Sequence, residues 1–215
     1  VGSRNFNAKI LQKPLFWRFA KTYSLTDFSL WFETGLWHIA DWQGYDHILF
    51  LLALCCMYQW RDWKALLVLI TAFTLGHSLT LALSVLEVVK IKAAYIEFTI
   101  PLSIVLTSVY NLSKLNRKVQ GDKIRYLMAL LFGLVHGLGF SYLLKSMLGR
   151  QTDLLLPLFA FNVGLEAGQI LILFGVLMLG SLATLLKVKE RDWRFFLSAA
   201  VFGISLLMTI ERYPL

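Results

Sequence analysis

Residues 154–186 read LLLPLFAFNVGLEAGQILILFGVLMLGSLATLL and carry a single ionisable group, Glu166. A run of that length exceeds the roughly 20 apolar residues that a helix needs to cross a bilayer, so it predicts a transmembrane helix that tilts or projects beyond the hydrocarbon. Further apolar runs cover residues 45–60, 65–89, 93–112, 124–147 and 194–210. Together they predict an all-α polytopic transmembrane helix bundle of six spans. The composition agrees: of 215 residues, 58% are hydrophobic and 16% charged, with a mean hydropathy of +0.65. A soluble domain carries about a quarter charged residues.

The basic surplus, 21 Lys and Arg against 13 Asp and Glu, does not indicate nucleic acid, because the charges fall between the apolar runs. They set orientation instead. Eleven of the Lys and Arg lie in the loops after spans one, three and five, and five (Lys90, Lys92, Lys145, Arg150 and Arg212) lie on the other side. The first set predicts the cytoplasmic face, and a bacterial inner (plasma) membrane is the expected location. Residues 1–27 form a separate basic and aromatic arm in which 9–23 resemble an interfacial amphipathic segment. Residues 28–215 form one helical domain. Within it, residues 28–43 contain Glu33, His38 and Asp41, costly groups for a crossing, so this stretch is expected to lie in the outer interface, with a seventh span as the alternative. Cys55 and Cys56 are adjacent, which fits neither a disulfide framework nor a CxxC zinc site.

The chain has four histidines, and all four sit within or at the mouth of apolar stretches. His38 and His47 flank Gly44-Tyr45-Asp46, His77 precedes Ser78, and His136 lies between Gly133 and Gly137. Ionisable side chains in hydrocarbon are costly unless paired or coordinated. At about 1.5 Å per residue, His77, His136 and Glu166 fall at one depth, roughly 15 Å from the outer face. Asp46, His47 and Glu97 lie nearer that face. Asn162, Glu166 and Gln169 share one stripe of their helix, as do Thr71, Thr74 and Ser78 of theirs, with His77 at the edge. For the hydroxyl groups, ordinary hydrogen bonding between helices is the expected use. Gly133 with Gly137, and Gly164 with Gly168, are small-xxx-small pairs whose expected role is packing.

These residues predict a divalent transition metal site. Its candidate ligands are His38, Asp46, His47, His77, His136 and Glu166, with Ser78, Glu97, Asn162 and Gln169 beside them. Imidazole and carboxylate donors without thiolate suit nickel, zinc, cobalt, iron or manganese, and zinc or nickel is the expected ion.

Gly35-Leu-Trp-His38, Gly44-Tyr-Asp46-His47-Ile-Leu-Phe-Leu and Phe73-Thr-Leu-Gly-His77-Ser78 resemble the HupE/UreJ family of membrane proteins. Glu97 with Pro101-Leu-Ser-Ile, Phe132-Gly-Leu-Val-His136-Gly-Leu-Gly-Phe and Phe161-Asn162-Val-Gly-Leu-Glu166-Ala-Gly-Gln169 continue the likeness, in order, over about residues 28–212. It implies a helical membrane protein grouped with nickel permeases and accessory proteins of hydrogenase and urease. Asp46, His47, His77, His136 and Glu166 carry over from their motifs. Ile39 follows His38 where hydrogenase-type permeases have proline, so the chain is closer to the second HupE/UreJ branch.

Three functions fit these observations. A permease would capture the ion at Asp46, His47 and His38 and pass it inward through Glu97, His77, His136 and Glu166. Neither an ATP-binding GxxxxGK[ST] loop nor a long inverted repeat with matched broken helices is evident. An intramembrane zinc hydrolase or transferase acting on a lipid or membrane-embedded substrate would use three imidazoles with an open position, Asp46 or Glu166 as base, and Ser78 at an oxyanion. A metal sensor or assembly partner is the third. The bilayer and the metal ion are the expected partners, together with a homo-oligomer or an accessory protein.

Overall fold

The apolar runs fold as helices wherever they are described. The computed structural model describes residues 28–41, 44–116, 122–148 and 154–214. It contains α1 (Phe28–Ala40), α2 (Asp46–Cys55), a 3-10 turn (Trp60–Asp62), α3 (Trp63–Val85), α4 (Ala93–Ser113), α5 (Lys123–Leu148), α6 (Leu155–Leu185) and α7 (Glu190–Glu211). No strand occurs among the described residues. The expected arm, with its amphipathic stretch 9–23, lies outside them. Five helices, α3 to α7, are long and apolar enough to cross a membrane, and the chain is an integral membrane protein. The end of the bundle where α3, α5 and α7 begin carries the basic loops and is called the basic end below.

The sixth crossing differs from the one expected. The run at 45–60 yields only the ten residues of α2, about 15 Å of helix, too short for a hydrocarbon core of about 30 Å. Phe28 meets Phe159, and Gly164 and Gly168 of α6 lie against Phe32, Leu36 and Ile39. α1 therefore runs parallel to α6. His47 lies by His77 and Phe50 by Phe73, so α2 runs antiparallel to α3 toward the basic end. Asn111, near the end of α4, reaches Ala53 there. α1 and α2 thus follow one another in the same direction, and their 13 and 10 residues rise about 35 Å together. They make one broken crossing. The interfacial position expected for residues 28–43 is corrected accordingly: Trp31 and Ile39 are wholly buried. Of the polar groups that argued against a crossing, His38 and Asp41 lie at the end of α1 next to the break and Glu33 in the middle of α1, all three half-buried.

Glycines set the helix spacing. A side chain at Gly76 would overlap the Leu130 carbonyl oxygen, and one at Gly133 or Gly137 would overlap that of Phe73 or His77. α3 and α5 therefore touch backbone to backbone. Gly35 and Gly164 do the same for α1 and α6, and Gly168 makes room for the Ile39 side chain. The packing role expected for the two small-xxx-small pairs holds.

Two helices end without the glycine that usually closes them. Glu87 and Lys187 both have φ of 61°, two residues after the ends of α3 and α6 and next to the capping residues Leu86 and Leu186. The backbone amides of Val88 and Val188 turn back to Leu83 and Ala183. This closure needs a left-handed residue, and a side chain there is strained.

Gly76→Ala should lower stability in detergent by about 1–3 kcal/mol, because two backbones must separate. Gly175→Ala, with open space around it, should be neutral or slightly stabilising. Equal melting temperatures for the two would refute backbone contact as the packing device. Lys187→Gly should raise stability by about 0.5–1 kcal/mol by relieving the left-handed strain, measured by thermal or denaturant unfolding.

Candidate metal centre

The break between α1 and α2 brings two histidines to the centre of the bundle. His38 lies in the last turn of α1 and His47 is the second residue of α2. The Gly76 contact presses α3 against α5, which carries His77 and His136 inward; both are wholly buried. The ligand atoms of His38, His47 and His77 lie within 4.8 Å of one another. Ring centroids are 4.5 Å apart for His38–His47, 5.8 Å for His38–His77 and 6.2 Å for His47–His77. His136 stands beside this triad, its ring 5.1 Å from that of His47.

Hydrogen bonding leaves lone pairs in the middle. His47 bonds the backbone of Gly44, while its Nε2 has no partner. An imidazole that gives its N–H to a carbonyl keeps a bare lone pair on the other nitrogen, the arrangement that orients metal ligands. His136 shows the same logic through a hydroxyl. Ser103 donates to the Ile100 carbonyl at 2.6 Å, so its oxygen can only accept from His136 Nε2, 3.1 Å away. Nδ1 of His136 is then the bare nitrogen, and it too lacks a partner. Both nitrogens of His77 are buried without one. A buried polar atom with no hydrogen bond costs roughly 1–3 kcal/mol. Several converging in one place fit a metal ion well, since neutral imidazole is the metal-binding form.

Four phenylalanines surround the imidazoles. Phe140 lies 4.0 Å from His38 and stacks on Phe161 at 4.9 Å. Phe50 and Phe73 flank His136 at 4.9 and 5.4 Å. All four are buried and keep the cluster in an apolar shell. Sequence reasoning missed them, although spacing could have found them: Phe50 follows His47 by three residues, Phe73 precedes His77 by four and Phe140 follows His136 by four, which places each on its histidine's helix face. Ser103 was also missed.

The carboxylates go elsewhere. Asp46 forms a forked ion pair with Arg212 at the end of α7, at 2.8 and 3.4 Å. Glu166 accepts from Thr71 at 2.8 Å, and Thr71 lies six residues, about 9 Å, nearer the basic end than His77. The common depth expected for His77, His136 and Glu166 therefore holds for the two histidines and not for the acid. Ser78 bonds the Thr74 carbonyl and Asn162, both at 2.6 Å, and Thr74 bonds Gln169 at 2.8 Å. The hydroxyl stripe of α3 and the polar stripe of α6 thus satisfy each other. Glu97 is half-buried on α4 and does not belong to the group of close ligand atoms.

No curated protein and no solved structure matched the chain. A family model described as HupE / UreJ protein matches residues 18–212, which includes every helix and all four histidines. The chain belongs to the HupE/UreJ family.

Proposed function

We propose that this protein is a permease for a divalent transition metal ion of the nickel, cobalt or zinc type, with His38, His47 and His77 as its central binding site and His136 beside them. The observation that carries this reading is the close approach of the three imidazoles, with His47 and His77 buried and holding nitrogens that have no hydrogen-bond partner. The ion is cargo. Nitrogen donors alone select against magnesium and calcium, which take oxygen, and the lack of thiolate selects against Cu(I). Two nitrogens on one tetrahedral ion lie about 3.4 Å apart, so side-chain rotation closes the triad on an ion.

Asp46 and Glu166 take supporting parts in this reading. Asp46, paired with Arg212, anchors the start of α2 and so holds His47 in place. Glu166 is only half-buried and offers an oxygen ligand on the basic side of the triad. The orientation in the membrane follows the loop charges, with the basic end cytoplasmic and a bacterial inner membrane as host.

A zinc hydrolase would use the same imidazoles, yet its remaining parts are committed elsewhere. Asp46 is bound to Arg212, Ser78 to Thr74 and Asn162, and Glu166 to Thr71. The permease reading needs no base or oxyanion donor at the triad.

His77→Ala should lower Co(II) or Zn(II) affinity at least 100-fold, and His136→Ala by about tenfold, as for a group outside the first ring of ligands; titration calorimetry and elemental analysis measure both. Unchanged binding in both variants would exclude the site. In metal-free protein, His77→Leu should melt no lower than wild type, because it removes a buried group with no partner. A fall of several degrees would assign His77 a structural role instead. Radiotracer uptake into proteoliposomes, compared with Glu166→Gln, tests transport itself.

A further inference from the structure

Topology accounts for many basic residues at the basic end, but not for a buried one. Arg125, in the first turn of α5, is 2% exposed, and among the described residues no other Lys or Arg is buried. Long basic side chains near helix ends normally extend to water. Arg125 turns inward instead. Its Nη1 donates to Asn111 Oδ1 at 2.6 Å, and Asn111 donates to the Ala53 carbonyl at 2.6 Å in the last turn of α2. The guanidinium lies 5.1 Å from the Tyr110 ring, and Nε is 3.4 Å from Asp122. Tyr110 in turn donates its hydroxyl to the Asp122 carboxylate, at 2.8 and 3.0 Å. One cation thus ties α2, α4 and α5 together.

Arg125 also stands at the end of a polar seam that begins at the histidines. On α4, Ser103, Thr107, Ser108 and Asn111 are all buried and fall on one side of the helix, spanning about 12 Å. Ser103 touches His136 at one end and Asn111 touches Arg125 at the other. Ser103 and Thr107 give their protons to their own helix, so their oxygens present only lone pairs to the seam. Ser108 Oγ has no partner at all. On α7, the wholly buried Ser198 lies 3.5 Å from Cys56, which Asn111 also contacts. Buried hydroxyl oxygens such as those of Ser103 and Thr107 suit a cation, since such oxygens replace its hydration.

We propose that Arg125 is the charge gate of the permeation path: held across the basic end of the α4 seam by Asn111, Tyr110 and Asp122, its guanidinium repels the departing metal ion, and the path opens when it leaves Asn111. This inference rests on the permease reading above. The charge is what matters. Asp122 neutralises Arg125 in part, so the two residues act on flux in opposite directions.

The test is Co(II) or Zn(II) flux into proteoliposomes holding the full chain. Arg125→Met, which replaces a buried cation by an apolar group of similar length, should raise flux about tenfold. Arg125→Lys should stay near wild type, Asp122→Asn should be slower, and adding His77→Ala to Arg125→Met should return flux to background. A folded Arg125→Met no faster than wild type overturns the gate, as does an equally fast Arg125→Lys or flux that survives loss of His77. Should Arg125→Met fail to fold, Asp122→Asn decides alone: flux equal to or above wild type overturns the proposal. Transport by wild type with an unresponsive gate leaves the permease standing, whereas no flux in any variant removes both.

Discussion

The direct contact of helix backbones at glycine is the constraint on which the rest of this structure depends. In a bilayer, lipid chains are as apolar as leucine, and helices associate through close packing and polar contacts instead of through the hydrophobic effect. Gly76, Gly133 and Gly137 bring the backbones of α3 and α5 into contact, and Gly35 and Gly164 do so for α1 and α6. His77 and His136 follow or precede these glycines by one residue. The same contacts that hold the helix pairs therefore fix the two imidazoles, and a wider spacing would separate them.

The broken crossing supplies the other half of the centre. A continuous helix from Phe28 to Cys55 would place His38 and His47 about 13 Å apart along its axis, whereas the break brings their rings to 4.5 Å. Helix ends inside a membrane leave backbone groups without partners. Here Gly44 bonds both Asp41 and the His47 ring, so the start of α2 is tied to the end of α1 and a ligand is oriented by the same contact. The aromatic shell of Phe50, Phe73, Phe140 and Phe161 then removes water as a partner for the remaining nitrogens.

Two polar seams leave this centre, and they differ in chemistry. Between α3 and α6, Thr71 donates to Glu166, while Thr74 and Ser78 share their hydroxyls between carbonyls of their own helix and Gln169 and Asn162, so the seam acts as adhesive. Along α4, Ser103 and Thr107 bond carbonyls of their own helix, Ser103 also meets His136 of α5, and Ser108 is left without a partner. The first seam joins helices; the second is a path for positive charge, closed at its end by Arg125.

Much of this was legible in the sequence. Hydrophobic run lengths gave α3 to α7 within a few residues, since hydrocarbon thickness dictates length, and the isolation of four imidazoles in apolar surroundings marked the centre because desolvation makes them costly. The spacing of Asn162, Glu166 and Gln169 foretold a shared stripe. Spacing could not say what that stripe would face, and it met the hydroxyls of α3 instead of the triad. Nor could it show that Asp46, beside His47, would turn to Arg212, 166 residues away in the chain. What the sequence by itself determined is which segments enter the membrane and which side chains cannot remain alone there. Only the tertiary structure decided which partners they find, that α1 and α2 form one interrupted crossing, and that Arg125 turns inward, because these depend on contacts between helices distant in sequence, where local periodicity carries no information.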